Sequence, residues 1–95
     1  MKLDAEGYEK RVLFGLREVL FRDRPIILME LIEEETKGGF RNEAELRNAL
    51  YPEHGLFTLR GTSKARLIPF DWNAEAAVCL PKEHTRAFDH LLRDN

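Results

Sequence analysis

One segment limits the fold of this chain more than any other: Pro25-Ile26-Ile27-Leu28-Met29-Glu30-Leu31. Its apolar residues are continuous. Successive side chains of a strand point to opposite faces, so a strand with one wet face alternates apolar and polar residues. A continuous run instead suits a strand covered on both faces, as in parallel sheets flanked by helices. Pro25 is tolerated because a proline at the first strand position breaks no ladder hydrogen bond. The uninterrupted apolar core of the run, Ile26 to Met29, is far shorter than the ~20 residues a membrane-spanning helix needs. No membrane association is expected.

The flanking sequence supplies the covering layer. Tyr8, Val12, Leu16, Val19 and Leu20 recur at helical spacing, which predicts one helix over residues 8–22. The stripe centres near Leu16, with Leu13 at its edge. Asp23-Arg24-Pro25 closes the helix, since a residue before proline disfavours helical backbone. Residues 1–4 alternate in polarity and run into Glu6-Gly7, which reads as a strand entering a turn. Strand, helix, strand in this order is a βαβ unit with parallel pairing. Phe14 and Phe21 share a helix face nearly opposite the stripe, either as rings tucked under a neighbouring element or as a contact surface for a partner.

The second half reads differently. Asn42 and Glu45 form an approximate capping box ahead of a helix over 42–50, whose apolar face is Leu46, Ala49 and Leu50. Residues 56–60 alternate as a strand, and 61–73 read as a turn and irregular chain with a short extended piece at Leu67-Ile68. A further strand covers 76–80, stopped by Pro81, and a tail helix covers 85–93. The two late strands have no helix between them, so antiparallel pairing is expected there. The expected fold class is therefore α/β, a single domain over 1–95, with a mixed sheet of about four strands (1–4, 26–31, 56–60, 76–80) and helices over 8–22, 42–50 and 85–93.

Composition narrows the function. Lys plus Arg number 15 and Asp plus Glu 17, a net charge of −2, which argues against a strongly basic protein held to nucleic acid by charge alone. No nucleic-acid partner is expected. The single cysteine, Cys79, excludes an internal disulfide. A reducing, cytoplasmic setting fits, as does the lack of a signal-peptide layout in Met1-Lys2-Leu3-Asp4.

Ligands of open α/β sheets bind beyond the carboxyl ends of the strands. The turn after the first strand reads Asp4-Ala5-Glu6-Gly7-Tyr8-Glu9, with three carboxylates around a glycine at a helix start. Glu9 falls within the inward stripe, where an acid needs a partner: a backbone amide, a cation or a ligand. Asp4 is either a turn residue bonding its own backbone or a chemical group, and Glu6 reads as solvated. Glu30 closes the second strand at the same rim. A hydrolase using Asp4, Glu6 and Glu9 with a metal is a further reading of the same acids.

This pattern resembles a known family. Lys2-Leu3-Asp4-Ala5-Glu6-Gly7-Tyr8-Glu9, then Val12-Leu13 and Gly15, then Arg24-Pro25-Ile26-Ile27-Leu28-Met29-Glu30, is similar to the second half of an FkbM-type methyltransferase domain. Later segments agree: the Leu-containing helix near Leu46, the strand near Phe57 and the Leu80-Pro81-Lys82-Glu83 strand end. The resemblance covers residues 1–84 and implies a partial doubly wound, Rossmann-like sheet with an antiparallel last strand. It implies S-adenosylmethionine as cofactor and O-methylation of a small-molecule or sugar hydroxyl. Asp4 would then be the catalytic carboxylate, with Glu6, Gly7, Glu9 and Glu30 contacting substrate or bracing the turn. Ala5 stands where the family commonly has a bulkier aliphatic. No Gly-x-Gly-x-Gly sequence occurs, so the cofactor-binding residues are not identified. The first strands of the full fold would have to precede Met1, and the chain is expected to be a fragment that binds the cofactor poorly alone and is inactive. The alternative is a non-catalytic α/β domain pairing with itself or a complementing chain through an exposed first strand.

Other constellations point to no chemistry. His54, His84, His90 and Cys79 lack metal-ligand spacing, so no metal site is expected. Cys79 reads as a buried thiol. Arg60, Lys64 and Arg66 form a small basic cluster that reads as solvated. Phe70-Asp71-Trp72-Asn73 reads either as a substrate-facing loop or as a tryptophan anchored over the core.

Overall fold

A computed structural model describes residues 1–5, 7–31, 37–61 and 66–84. Five strands form one mixed sheet: β1 (Lys2–Leu3), β2 (Ile27–Glu30), β3 (His54–Arg60), β4 (Arg66–Pro69) and β5 (Ala76–Pro81). Three α-helices accompany it: α1 (Glu9–Gly15), α2 (Arg17–Asp23) and α3 (Glu43–Asn48), with a short 3-10 turn at Lys37–Gly39. The strand order is β1-β2-β5-β3-β4. β1 and β2 pair in parallel, Leu3 opposite Met29, as the βαβ pattern requires. β5 runs antiparallel to both β2 and β3, with Leu28 and Phe57 each opposite Val78. β4 closes the far edge as an antiparallel partner of β3.

The two faces of β2 separate the core into two clusters, which accounts for its unbroken apolar run. Ile27, Met29 and Leu31 join Leu13, Leu20, Leu46, Leu50 and Tyr51 on the helix side. Ile26 and Leu28 turn to the other face, with Leu67, Val78, Leu80 and Phe57. Each fully buried leucine contributes about 1.5–3 kcal/mol relative to an exposed one.

The structure corrects the sequence expectations at three places. The helix expected over 8–22 is two helices meeting at Leu16, whose φ of −101° and ψ of 11° lie outside the helical well. The preceding Gly15 is a poor helix former, which weakens the chain there. The break turns Leu16 and Val19 outward, and Tyr8 precedes the helix; all three are exposed. The buried face is Glu9, Leu13 and Leu20 instead. The sheet has five strands rather than four, because residues 66–69, read as largely irregular, gain ladder partners from Phe57 to Arg60 that no local pattern announces. The helix expected over 42–50 is shorter: Asn42 caps it by accepting from the Glu45 amide at 2.9 Å, but Glu45 returns its bond to the Arg41 amide rather than to Asn42. The tail helix expected over 85–93 lies outside the described residues.

Phe70 and Trp72 pack against the helix-side core and meet edge to face at 6.4 Å, so the tryptophan anchors its loop. Among the described residues no helix is long and apolar enough to cross a membrane.

Candidate functional site

The turn between β1 and α1 is built around Glu9. This carboxylate is 1% exposed, in the core-facing row of α1. Its burial is tolerated because it is bonded. Oε2 accepts from the Ala5 amide at 2.5 Å and Oε1 accepts from the Gly7 amide at 3.0 Å. Of the three partners the sequence left open, the structure selects backbone amides. Glu9 thus ties the turn to the first turn of its own helix, where acids also complement the helix dipole. Gly7 sits at φ 99°, in the region that favours glycine, and allows the chain to double back over Glu9.

A second loop seals this arrangement. Gly38, at φ 75°, is buried against Glu9 and Leu31; a Cβ there would stand 2.9 Å from Leu31 Cδ2 and 3.1 Å from Glu9 Oε1. Gly39, itself exposed, lies against Lys10; a Cβ there would stand 3.2 Å from Lys10 Cβ and 3.7 Å from the Gly7 carbonyl oxygen. The Gly38-Gly39 pair therefore provides close backbone approach. Lys10 continues the seam by donating to Glu45 Oε1 at 2.7 Å, and this bond holds the Glu45 carboxyl below the usual carboxylate range.

Asp4 is placed differently. It follows Leu3 at the carboxyl end of β1, is exposed, and has no hydrogen-bond or ion-pair partner among the described residues. Glu30 follows Met29 on the adjacent parallel strand, so both acids stand at one rim of the sheet. Strand alternation puts Glu30 on the Leu28 face, away from the Leu31 face where Glu9 lies. The structure therefore brings Gly7 and Glu9 together, leaves Asp4 at the rim without a partner among the described residues, and sets Glu30 on the face away from Glu9. Glu6 lies outside the described residues. Among the described residues no group of three acidic, histidine or cysteine side chains converges as a metal site would require.

Beside the turn lies a shallow cleft of about 520 Å³, lined by Tyr8, Lys10, Arg11, Phe14 and the three glycines Gly7, Gly38 and Gly39. The Arg11 guanidinium stands 5.9 Å from the Tyr8 ring centre. Glycine backbone and two aromatic rings make its walls flat and mainly apolar. Neither Asp4 nor Glu30 lines it.

The sequence reading missed the role of Arg24. This residue terminates α2 at φ 47° and reaches across the sheet to Glu83, with Nε and Nη2 donating to the two carboxylate oxygens at 2.9 and 2.8 Å. It also donates to the carbonyls of Pro52 and Glu53, and its guanidinium lies 4.8 Å from the Tyr51 ring centre. The forked ion pair holds the Glu83 carboxyl far below the usual range, at about 2. The only sequence signal was that Arg24-Pro25 and Leu80-Pro81-Lys82-Glu83 belong to one pattern. Cys79 is buried, and its surroundings push the thiol up to about 11, which makes it inert.

No family model, no curated protein and no solved structure matches the chain.

Proposed function

We propose that the chain is the acceptor-side half of an FkbM-type, S-adenosylmethionine-dependent methyltransferase domain that methylates a hydroxyl of a small molecule or sugar. The observation that carries this reading is the contrast between Asp4 and Glu9. Glu9 is used in bracing the turn, whereas Asp4 stands at the start of that turn with its carboxylate unengaged among the described residues. An acid so placed can orient a hydroxyl and accept its proton as the carbon–oxygen bond forms. Two further features support the reading. The last described strand, β5, is antiparallel to its neighbours, as the resemblance implies. The Arg24-Pro25 and Pro81-Lys82-Glu83 segments of the motif meet through an ion pair.

The cofactor would supply an electrophilic methyl group. Its nucleotide half finds no Gly-x-Gly-x-Gly loop in this sequence, so no step of the transfer is routed through these residues alone. The 95 residues by themselves should bind S-adenosylmethionine weakly. The test is to sequence the genomic DNA upstream of the first codon and, where an in-frame glycine-rich strand–turn–helix is found, to express the longer chain. It should bind the cofactor and transfer methyl to a hydroxyl, and Asp4→Asn should abolish transfer while leaving cofactor binding intact. Tight cofactor binding by the short chain, or full activity of Asp4→Asn, sinks the reading.

A second reading is favoured by the position of β1. It is an edge strand, with only β2 beside it among the described residues. Such an edge is a template for strand addition by another chain. Sedimentation showing only monomer across micromolar concentrations would remove this alternative.

A further inference from the structure

The opposite end of the sheet carries a separate feature. Where β2 and β3 begin and β5 ends, a cleft of about 350 Å³ opens between α2 and the chain around Tyr51. Arg17, Arg47 and Lys82 line it, together with Phe21, Tyr51 and His54; among the described residues Glu53 is its one acid. Three cations thus face the Glu53 carboxylate and the Glu43 carboxylate that pairs with Arg47, an excess of positive charge in a chain whose net charge is −2. A recess with an excess of one sign of charge focuses the field and concentrates counter-ions.

The cations are held open. Arg47 is anchored at one corner by Glu43, Nε to Oε2 at 2.8 Å, and at another by His54, Nη1 to Nε2 at 3.3 Å. The tautomer follows from the other ring nitrogen. His54 Nδ1 lies 2.7 Å from the Tyr51 carbonyl, which can only accept, so Nδ1 carries the hydrogen and Nε2 accepts from Arg47. Arg17 lies over Phe14 and Phe21, its guanidinium carbon 5.7 and 4.9 Å from the ring centres, and forms no ion pair among the described residues. Lys82 is fixed by its backbone, whose N–H donates to the Glu53 carbonyl at 3.0 Å, while its ammonium has no ion-pair partner among the described residues. Arg24 alongside differs, being engaged by Glu83 and two carbonyls.

We infer that this cleft is an oxyanion site that takes a phosphate group, with Arg47 Nη2, which neither Glu43 nor His54 engages, and the Arg17 and Lys82 charges as its ligands. An anchored guanidinium offers charge-assisted donors to phosphate oxygens, and an ammonium adds a point charge. The site lies at the far end of the sheet from Asp4 and stands independently of the methyltransferase reading. His54 reports on it. Burial, with Arg47, Lys82 and Arg24 nearby, lowers the proton affinity of the ring below its ordinary value, and a bound dianion opposes those charges.

The experiment is an NMR titration of the His54 ring with inorganic phosphate, phenyl phosphate and acetate at matched ionic strength. Both phosphates should shift the ring resonances saturably and raise the His54 titration midpoint. Tighter binding of phenyl phosphate assigns an aryl or nucleoside-like ester, and equal binding assigns free phosphate. Arg17→Gln and Lys82→Gln should each weaken binding by about tenfold, the loss of one charge-assisted contact. Glu53→Gln should tighten it, an effect that misfolding cannot mimic. Linear shifts, equal shifts with acetate, or affinities indifferent to these three variants would overturn the proposal.

Discussion

The two ends of the sheet solve opposite problems. At the rim after β1, a buried acid is satisfied by two backbone amides and sealed by a glycine pair. At the other end, a partly exposed arginine gathers a carboxylate and two carbonyls, and three further cations line a cleft beside it. Among the described residues the first arrangement has no unsatisfied buried side-chain polar atom and leaves Asp4 without a partner outside. The second has a surplus of positive charge facing solvent. Stability at the first end therefore depends on burial, whereas at the second it depends on charge and pH.

The sharpest break of this contrast is Glu9→Ala. It leaves the amides of the half-buried Ala5 and Gly7 without their acceptor, and an unsatisfied buried donor costs about 1–3 kcal/mol. Urea denaturation should show a loss on the order of 3 kcal/mol. Glu9→Gln retains a single acceptor oxygen and should lose less.

Gly38→Ala comes next. The new methyl would meet Leu31 and Glu9 at a backbone conformation that disfavours a side chain. A loss of about 1–3 kcal/mol is expected from the same denaturation series. An unchanged midpoint would show that the glycine loop does not seal the turn.

At the cationic end the test is acid. The folded-state carboxyl of Glu83, at about 2, lies below its ordinary value of 4.5. The folded chain therefore favours the ionised form. Its contribution is present in full above the ordinary value and disappears as pH falls through about 2. Denaturation midpoints should decline across that window, and Arg24→Gln should flatten the decline. His54 adds a milder limb of the same sign: its proton affinity is depressed, so its contribution is full above 6.5 and falls below it.

The smallest expected effect is at Asp4. Because the side chain is exposed and unpartnered among the described residues, Asp4→Asn should change stability by less than about 0.5 kcal/mol. A large loss would mean that Asp4 braces the turn as Glu9 does.

Much of this was legible along the chain. The apolar run Ile26 to Met29 announced a strand covered twice, and Glu9 declared itself as an inward acid needing a partner. Asn42 marked its helix start. The helix phase was harder to read, because Tyr8, Leu16 and Val19 are as apolar as Leu13 and Leu20, and only the break at Leu16 separates the exposed set from the buried one. Glu30 was grouped with the acids of the first turn because it closes the second strand at the same rim, yet strand alternation turns it to the face away from Glu9.

Local order is what residue spacing alone determined here: the strand–helix–strand opening, the tight acidic turn, and the inward position of one carboxylate. These depend on neighbours a few residues apart, and backbone geometry constrains them directly. Tertiary structure alone decided that β5 slots between β2 and β3, that residues 66–69 become a strand, and that Arg24 finds Glu83 fifty-nine positions away. Such pairings depend on which distant edges and charges meet once the core closes, and a one-dimensional pattern carries no record of that distance.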